Sequence, residues 1–497
     1  VGALLHQSTA ASCLDPEIIA VERWGDDRPF AMQVSALRVE LVEEFDRIDP
    51  ATALKLARTY LHFGFGAEAA HIIDLAALSG PEARGALALA RLIDRGELNG
   101  DNPFSNQQKC DSDVALWAAF AEPIKTDEIN NEAVLRAFGR LPLYLREHLG
   151  PTLSRRFGDA GDRPTAEALL RMLRRSGGES SPDLELAEAK TAELRGESDK
   201  AMEKLSKVAE TDTEQAPKAL IALVKNQYEL RGSIAPDVPV LAGGFALEHR
   251  RSELGVKLRE TLALSLALTD RFDEAFEALG PIEELNGPES RLQTESRLLY
   301  LIEERADDLT FLRLALHAIT GQESAYAEDL GNRLARRILD LGFAETAVRL
   351  LAGSTEGVAT EDRRLLRAEA ALAQQLPHEA MVALLGLEGP QAARLRAEAM
   401  LQRQDYLEAG HMLQVAEDRN GAARSLWLAD SFQPGVEPDP TQYELLAAAT
   451  GELAKPDPEL DGLTPLARAR ALIDKSTSTR SDIEDLLQKV TVSVDTD

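Results

Sequence analysis

Apolar positions in residues 51–81 recur with the period of a helix. Ala53, Leu56, Ala57 and Tyr60 stand at i, i+3, i+4 and i+7 and share one face. Ala69, Ile73 and Ala76 line one face of a second helix, which Pro81 ends. The small residues Ala57 and Ala69 would let the two backbones approach closely, with Tyr60 and Ile73 filling the space beside them. Gly64-Phe65-Gly66 stands between the helices. A phosphate-cradling Gly-x-Gly follows a strand and opens a helix. This one follows a helix, so it reads as an interhelical turn.

The second-helix signature recurs. Ala166 and Leu170 carry it in TAEALLRML, Ala201 and Leu205 in DKAMEKL, Ala275 and Leu279 in DEAFEAL. In LTFLRLAL the large and small residues change places, as Phe311 and Ala315. The signature returns as Ala347 and Leu351, Ala380 and Leu384, and Ala409 and Leu413. From Ala166 onward the anchors are 35, 74, 36, 36, 33 and 29 residues apart. The 74 is close to two periods, so one copy between Ala201 and Ala275 has diverged. Five residues before the anchors stand Gly64, Gly161, Gly196, Asp270, Ala306, Gly342, Gln375 and Gln404. Half are Gly, which suits a helix C-cap and turn. Amphipathic helices alone would not hold this spacing; an irregular helical bundle is the alternative to a regular repeat.

The unit resembles the tetratricopeptide repeat, whose pattern runs W-x2-L-G-x2-Y, then A-x3-F, then P. Ala53 replaces the Trp, Leu56 matches, Ala57 replaces the Gly and Tyr60 matches; Ala69 matches, Ile73 replaces the Phe and Pro81 matches. The resemblance implies an all-α solenoid of stacked helical hairpins with a concave surface, because one hairpin cannot bury its apolar face alone. It also implies scaffolding, chaperoning or assembly, without naming a ligand. Tetratricopeptide domains that grip acidic C-termini use Lys, Arg and Asn, a pattern that the Lys-poor middle of this chain does not offer clearly.

Three divisions follow: a non-repeat or capping segment over 1–50, repeats over 51–433, and a linker with C-terminal helices over 434–497. The first contains PEIIAVERWGDDRPF and a helix expected from about Phe30 to Phe45. Two stretches interrupt the repeats. LNGDNPFSNQQKCDSD (98–113) reads as a long polar loop and GSIAPDVPVLAGGF (232–245) as an extended excursion. Loops of that length are either functional or tolerated insertions, so both are docking candidates. QPGVEPDPTQYELLAAATGELAKPDPELDGL reads as a linker around one short helix. LTPLARARALIDK and SDIEDLLQKV read as two terminal helices, Ser481 and Glu484 having capping-box spacing. These helices would cap the stack or dock on a partner.

Composition narrows the class. Aromatics are only 5%, and the abundance of Ala, Leu, Glu and Arg favours helix over sheet. A net charge of -29 repels nucleic-acid phosphate and anionic lipid, which removes both as default partners. No apolar run reaches the roughly 18 residues of a membrane span. There are 13 Lys against 42 Arg, and none of the Lys falls between Lys257 and Lys455. A GC-rich bacterial genome explains this, and selection for bidentate anion contacts is the alternative. Cys13 and Cys110 are the only cysteines, each in a polar stretch. They are either a disulfide, which would imply an oxidising compartment such as a bacterial periplasm, or two unrelated thiols. The N-terminal VGALLHQSTAASC lacks an initiator Met and the pattern of an intact signal peptide. That leaves a removed signal or anchor, or a longer protein, as readings; otherwise the location is cytoplasmic.

Catalytic motifs are missing. His6, His62, His71, His148, His249, His317, His378 and His411 show no metal-ligand spacing, and no nucleophile elbow or Walker loop occurs. No catalytic, cofactor or metal residue is therefore expected. The Arg-rich stretches 171–178, 248–253 and 361–367 could line an anion groove or simply pair with nearby acids. The expected function is a non-enzymatic scaffold holding a protein partner of basic surface, and homo-oligomers are compatible with it. One specific form is an exported accessory protein of a bacterial envelope machine such as a flagellar motor, a secretion system or a polysaccharide exporter. The alternative is a sensory or regulatory helical domain of a larger enzyme or transcription regulator. A helical-toroid glycan lyase would need clustered aromatics, and three Trp argue against it.

Overall fold

The computed structural model describes residues 13–42, 47–96, 98, 100–175, 181–320, 326–352, 359–431, 443–444 and 462–492, with side chains in the last stretch to residue 484, 482 excepted. Among these the protein is all-α, with no strand and one isolated β-bridge between Val42 and Ile48. Contacts divide the chain into two units between Ser265 and Leu266. The first opens with two 3₁₀ turns, Pro16–Ile19 and Val21–Arg23. Then come α1 (Phe30–Glu40), α2 (Pro50–His62), α3 (Gly66–Leu75), α4 (Pro81–Arg95), α5 (Val114–Ala121), α6 (Asn131–Arg140), α7 (Leu143–Asp159) and α8 (Arg163–Arg175). They continue as α9 (Pro182–Leu194), α10 (Ser198–Ala209), α11 (Ala216–Glu229), α12 (Val238–Glu248) and α13 (Glu253–Leu268), which crosses the division. The second unit adds α14 (Phe272–Glu277), α15 (Leu279–Asn286), α16 (Pro288–Arg305), α17 (Asp308–Ile319), α18 (Glu328–Asp340), α19 (Ala344–Ala352) and α20 (Glu361–Ala373). It ends with α21 (Pro377–Ala383), α22 (Pro390–Gln402), α23 (Tyr406–Val415), α24 (Arg419–Leu428) and α25 (Pro465–Val492).

Helices pack on the next in sequence and often on the next but one. In the first unit α2 touches α3 and α4, and α7 touches α8 and α9; in the second, α18 touches α19 and α20, and α20 touches α21 and α22. This is sequential packing of hairpins, each leaning on its neighbour. All eight anchors are fully buried: Ala69, Ala166, Ala201, Ala275, Phe311, Ala347, Ala380 and Ala409. Their partners four residues on, from Ile73 to Leu413, are buried with them. A methyl side chain at seven of the anchors, and at Ala315 in the swapped copy, lets the crossing backbones close, and the large residue fills the space one turn away.

The turns share one geometry. Gly64, Gly161, Gly196, Asp270, Gly342, Gln375 and Gln404 all lie in the left-handed region, with φ between 60° and 90°. After each, the next N–H reaches back to a carbonyl five residues earlier, at 2.9–3.0 Å, as Phe65 does to Tyr60 and Asp405 to Met400. This is the bond of a Schellman cap, which satisfies carbonyls the helix end leaves open. Ala306 departs from the set. It is extended (φ -71, ψ 148), and Asp307 caps α17 through the Leu309 and Thr310 N–H groups. The swapped copy thus has a different turn. The Gly-x-Gly of residues 64–66 divides its work: Gly64 takes the left-handed turn, and Gly66 lets α3 close on α4. A Cβ on Gly66 would stand 2.3 Å from the Ala90 carbonyl oxygen.

Arginines close other helix ends. Arg156 of α7 donates to the Ala119 and Glu122 carbonyls at the end of α5. Arg337 of α18 donates to Ile302, Glu303 and Ala306 at the end of α16. Arg363, buried on α20, donates to the Leu350 and Leu351 carbonyls of α19 and to Asn332 Oδ1. Arg364 and Arg396 reach carbonyls at the end of α21 and just beyond it. A planar fork of five donors can serve two or three divergent carbonyls at once, which a lysine cannot. Helix C-termini are also where the macrodipole favours a cation.

Some expectations are corrected. The stretch 232–245 is extended only to its midpoint; Pro239 sits in the first turn of α12, and the chain is helical from Val238. The two terminal helices are one. The Ser-Thr-Ser-Thr run contains no Gly or Pro, and the Thr477 hydroxyl donates to the Ile473 carbonyl within a continuous α25. Ser481 is therefore interior rather than a cap. None of the described side chains of α25 is buried. Helix α1 ends at Glu40, and the expected extension to Phe45 falls outside the described residues, as does most of the 434–461 linker.

Loop 98–113 is fastened down. Phe104 is fully buried, and Gln107 Oε1 accepts from Leu14 N–H at 2.7 Å. Gln108 binds the Pro123 carbonyl and the Lys125 N–H, and Cys110 is disulfide-bonded to Cys13. The bond ties the N-terminal segment to the loop across 97 residues of sequence. Both elements serve the core of the first unit.

A non-Gly residue in the left-handed region carries strain that Gly escapes. Gln404→Gly and Gln375→Gly should each stabilise the chain by about 1 kcal/mol. Urea unfolding of the full chain checks this, and unchanged or lowered midpoints contradict the turn assignment.

Candidate functional site

The first helices of successive hairpins in the first unit form a groove of about 450 Å³. Arg155 and Asp159 come from α7, Lys190 and Glu193 from α9, Lys218, Lys225, Asn226 and Glu229 from α11, and Lys257 from α13. Their spacings explain the alignment. Lys218, Lys225 and Glu229 stand at i, i+7 and i+11, one stripe of α11. Lys190 and Glu193 share a face of α9, as Arg155 and Asp159 do of α7. The floor is apolar, with Leu186, Leu205, Ile221 and Ala222.

A polar ladder crosses three helices. Lys190 Nζ stands 3.1 Å from Asp159 and 3.5 Å from Glu193, and Asn226 Nδ2 donates to Glu193 Oε1 at 3.0 Å. Burial alone would lower the Lys190 pKa, but its two carboxylates outweigh that and hold it above the usual lysine range. Burial raises the Glu193 carboxyl above its usual range, and the neighbouring Lys190 does not compensate fully. The remaining cations differ. Lys225 pairs loosely with Glu229 at 3.7 Å. Lys218 Nζ donates to the Gln215 amide oxygen at 3.2 Å. Arg155, Lys218 and Lys257 form no ion pair among the described residues. The groove therefore presents positive charge in a chain whose net charge is -29. Its ammonium groups are point charges on flexible stems, suited to carboxylates at variable positions along an extended segment.

The Arg-rich stretches do not build this groove. Arg171 pairs with Glu167 and Arg174 with Glu188, while Arg363, Arg364 and Arg367 are spent on helix carbonyls. Arg250 and Arg251 are exposed just before α13. Sequence reasoning missed the lysines. Seven of the 13 lie between Lys190 and Lys257, and that local concentration was the signal that could have found them. A second cleft, of 560 Å³, lies in the second unit over α20, between α19 and α21. It is mostly apolar, and its Arg367 already donates to the Leu351 carbonyl.

The histidines are scattered. His62 Nδ1 contacts the Val21 carbonyl oxygen at 2.8 Å and His148 Nε2 that of Ile93 at 2.9 Å; His71 and His411 are exposed. Among the described residues no group of three or more His, Cys, Asp or Glu could hold a metal, and no helix is long and apolar enough to cross a membrane. No protein-family model matches the chain, and no curated protein matches it in sequence.

Glu193 binds its proton more tightly folded than unfolded, so stability falls as pH rises through its raised pKa. Glu193→Gln removes that titration and keeps the acceptor for Asn226. The variant should melt higher than the parent at pH 7, with the gap closing as pH falls below the ordinary carboxylate range. A lower melting temperature at pH 7 would contradict the assignment.

Proposed function

We propose that the protein is a non-enzymatic interaction scaffold whose stacked hairpins form a solenoid resembling tetratricopeptide domains. The observation that supports this most is the groove across α7, α9, α11 and α13. Four first helices in succession contribute to one surface, and three of its cations form no ion pair among the described residues. Such a groove holds an acidic, extended segment of a partner protein, the ladder from Asp159 to Asn226 keeping its walls in register. The acidic surface elsewhere faces a basic partner region, which is the second half of a scaffold's work. Nucleic acid is no ligand for so acidic a chain. The Cys13–Cys110 disulfide favours an oxidising compartment, consistent with an exported accessory protein of a bacterial envelope machine.

Binding of a fluorescent oligo-glutamate peptide tests the groove. The expected result is salt-sensitive binding that weakens at least about tenfold in Lys218→Glu/Lys257→Glu, each charge-pair change being worth on the order of 1 kcal/mol. Equal affinity in the parent and the double variant, or preference for oligo-lysine at this site, would refute the reading.

A further inference from the structure

Helix α25 presents a different surface. It spans 28 residues, which is four heptads, and none of its described side chains is buried. Leu466 is 86% exposed, Ile473 65% and Leu472 48%. A helix of this length is stabilised chiefly by packing an apolar stripe against something. The stripe is present. Leu466, Ile473, Arg480 and position 487 (Leu) recur every seven residues, and Ala469, Ser476, Ile483 and position 490 (Val) recur three residues later. These are the a and d positions of a heptad repeat.

Charge says what covers it. Residues 465–480 hold Arg468, Arg470, Lys475 and Arg480 against Asp474. The sequence of 481–492 holds acids at 482, 484 and 485 against one Lys at 489. Basic residues near a helix N-terminus and acids near its C-terminus oppose the macrodipole, so this distribution does not serve the helix in isolation. It does serve a reversed copy of the same helix, where each basic half lies along an acidic half.

We propose that α25 pairs antiparallel with α25 of a second copy of this chain. In an antiparallel pair the a positions of one helix meet the d positions of the other. One register satisfies the central layers. Ile473 meets Ile483 of the other copy, and the polar pair Arg480 and Ser476 falls at the centre. The small Ser476 in that central layer leaves room for the longer Arg480 beside it. The same register brings Arg470 beside Glu484 of the other copy, an opposite-charge pair on each side of the dyad. A parallel pair offers no such partners: Arg470 would then face Pro465, and Glu484 would face Thr479. A polar interruption inside an apolar seam fixes register, and the two central layers that the dyad relates, each pairing Arg480 of one copy with Ser476 of the other, supply it. The pairing is isologous and closes at two copies.

Sedimentation velocity of the full chain across the micromolar range tests this. The parent should be a dimer, and Ile473→Asp/Ile483→Asp a monomer with unchanged thermal unfolding of the rest of the chain. Arg470→Glu and Glu484→Arg should each weaken dimerisation, and the double swap should restore it, because each copy then offers the reversed pair. A monomeric parent, or a dimer that survives the Asp variant, overturns the proposal. Single charge variants without effect overturn the antiparallel arrangement.

Discussion

No hairpin in this chain can hide its apolar stripe alone, and the rest of the structure follows from that constraint. A hairpin of two short helices has one inner face, and the backs of both helices stay apolar until a neighbour arrives. The anchors show how the neighbour is admitted. A small residue at each crossing, fully buried as Ala in seven anchors and as Ala315 beside the swapped anchor Phe311, brings the two helices close enough for the large residue one turn away to reach across. Once crossings repeat, the first helices must align, because each is locked to the hairpin before and after it. The basic groove is a consequence of that alignment. Lys190, Lys218 and Lys257 are far apart in sequence and lie on one surface only because α9, α11 and α13 are stacked in order.

Close stacking creates a second demand. Helix ends brought inside leave carbonyls without partners, and a buried carbonyl without a donor is costly. The chain answers in two ways: a left-handed residue that folds the turn back on itself, and an arginine from a neighbouring helix that forks across the open carbonyls. This explains why the second unit tolerates arginines whose targets are carbonyls rather than acids. Arg363 is buried against three neutral acceptors, and burial pulls its pKa below the usual arginine value while those acceptors hold the guanidinium in place. Arginine forks close several helix ends, while lysine supplies most of the cations of the groove.

The sequence carried much of this architecture openly. The Ala-x3-large signature located seven of the eight anchors and its reversal the eighth, Phe311 with Ala315, because close crossings demand a small residue whatever surrounds it. The position five before the anchor was visible as a turn, although Gln375 and Gln404 sit in the left-handed region without the glycine that would announce it. Other features were hidden for physical reasons. Helix α12 begins with Pro-containing, Gly-containing sequence that reads as loop, and packing overrides that weak propensity. The continuous α25 was split in two because a Ser-Thr run resembles a cap when nothing shows whether the chain bends. Arg363 looked like a groove residue because its target, the end of α19, is set by tertiary structure. The groove itself was legible only as an excess of lysine between residues 190 and 257, since the facing of each helix is decided by its neighbours.

The central claim is that each hairpin depends on the next, and native-state hydrogen exchange in an anchor variant addresses it directly. Ala380→Leu overfills the crossing of α20 and α21, an insertion of the kind that costs about 1–3 kcal/mol. Exchange followed segment by segment should show protection falling in α20 and α21 and also in the adjoining α18, α19, α22 and α23, fading with distance along the stack. Loss confined to α20 and α21, with the neighbours fully protected, would mean that the hairpins stand alone and would contradict the account.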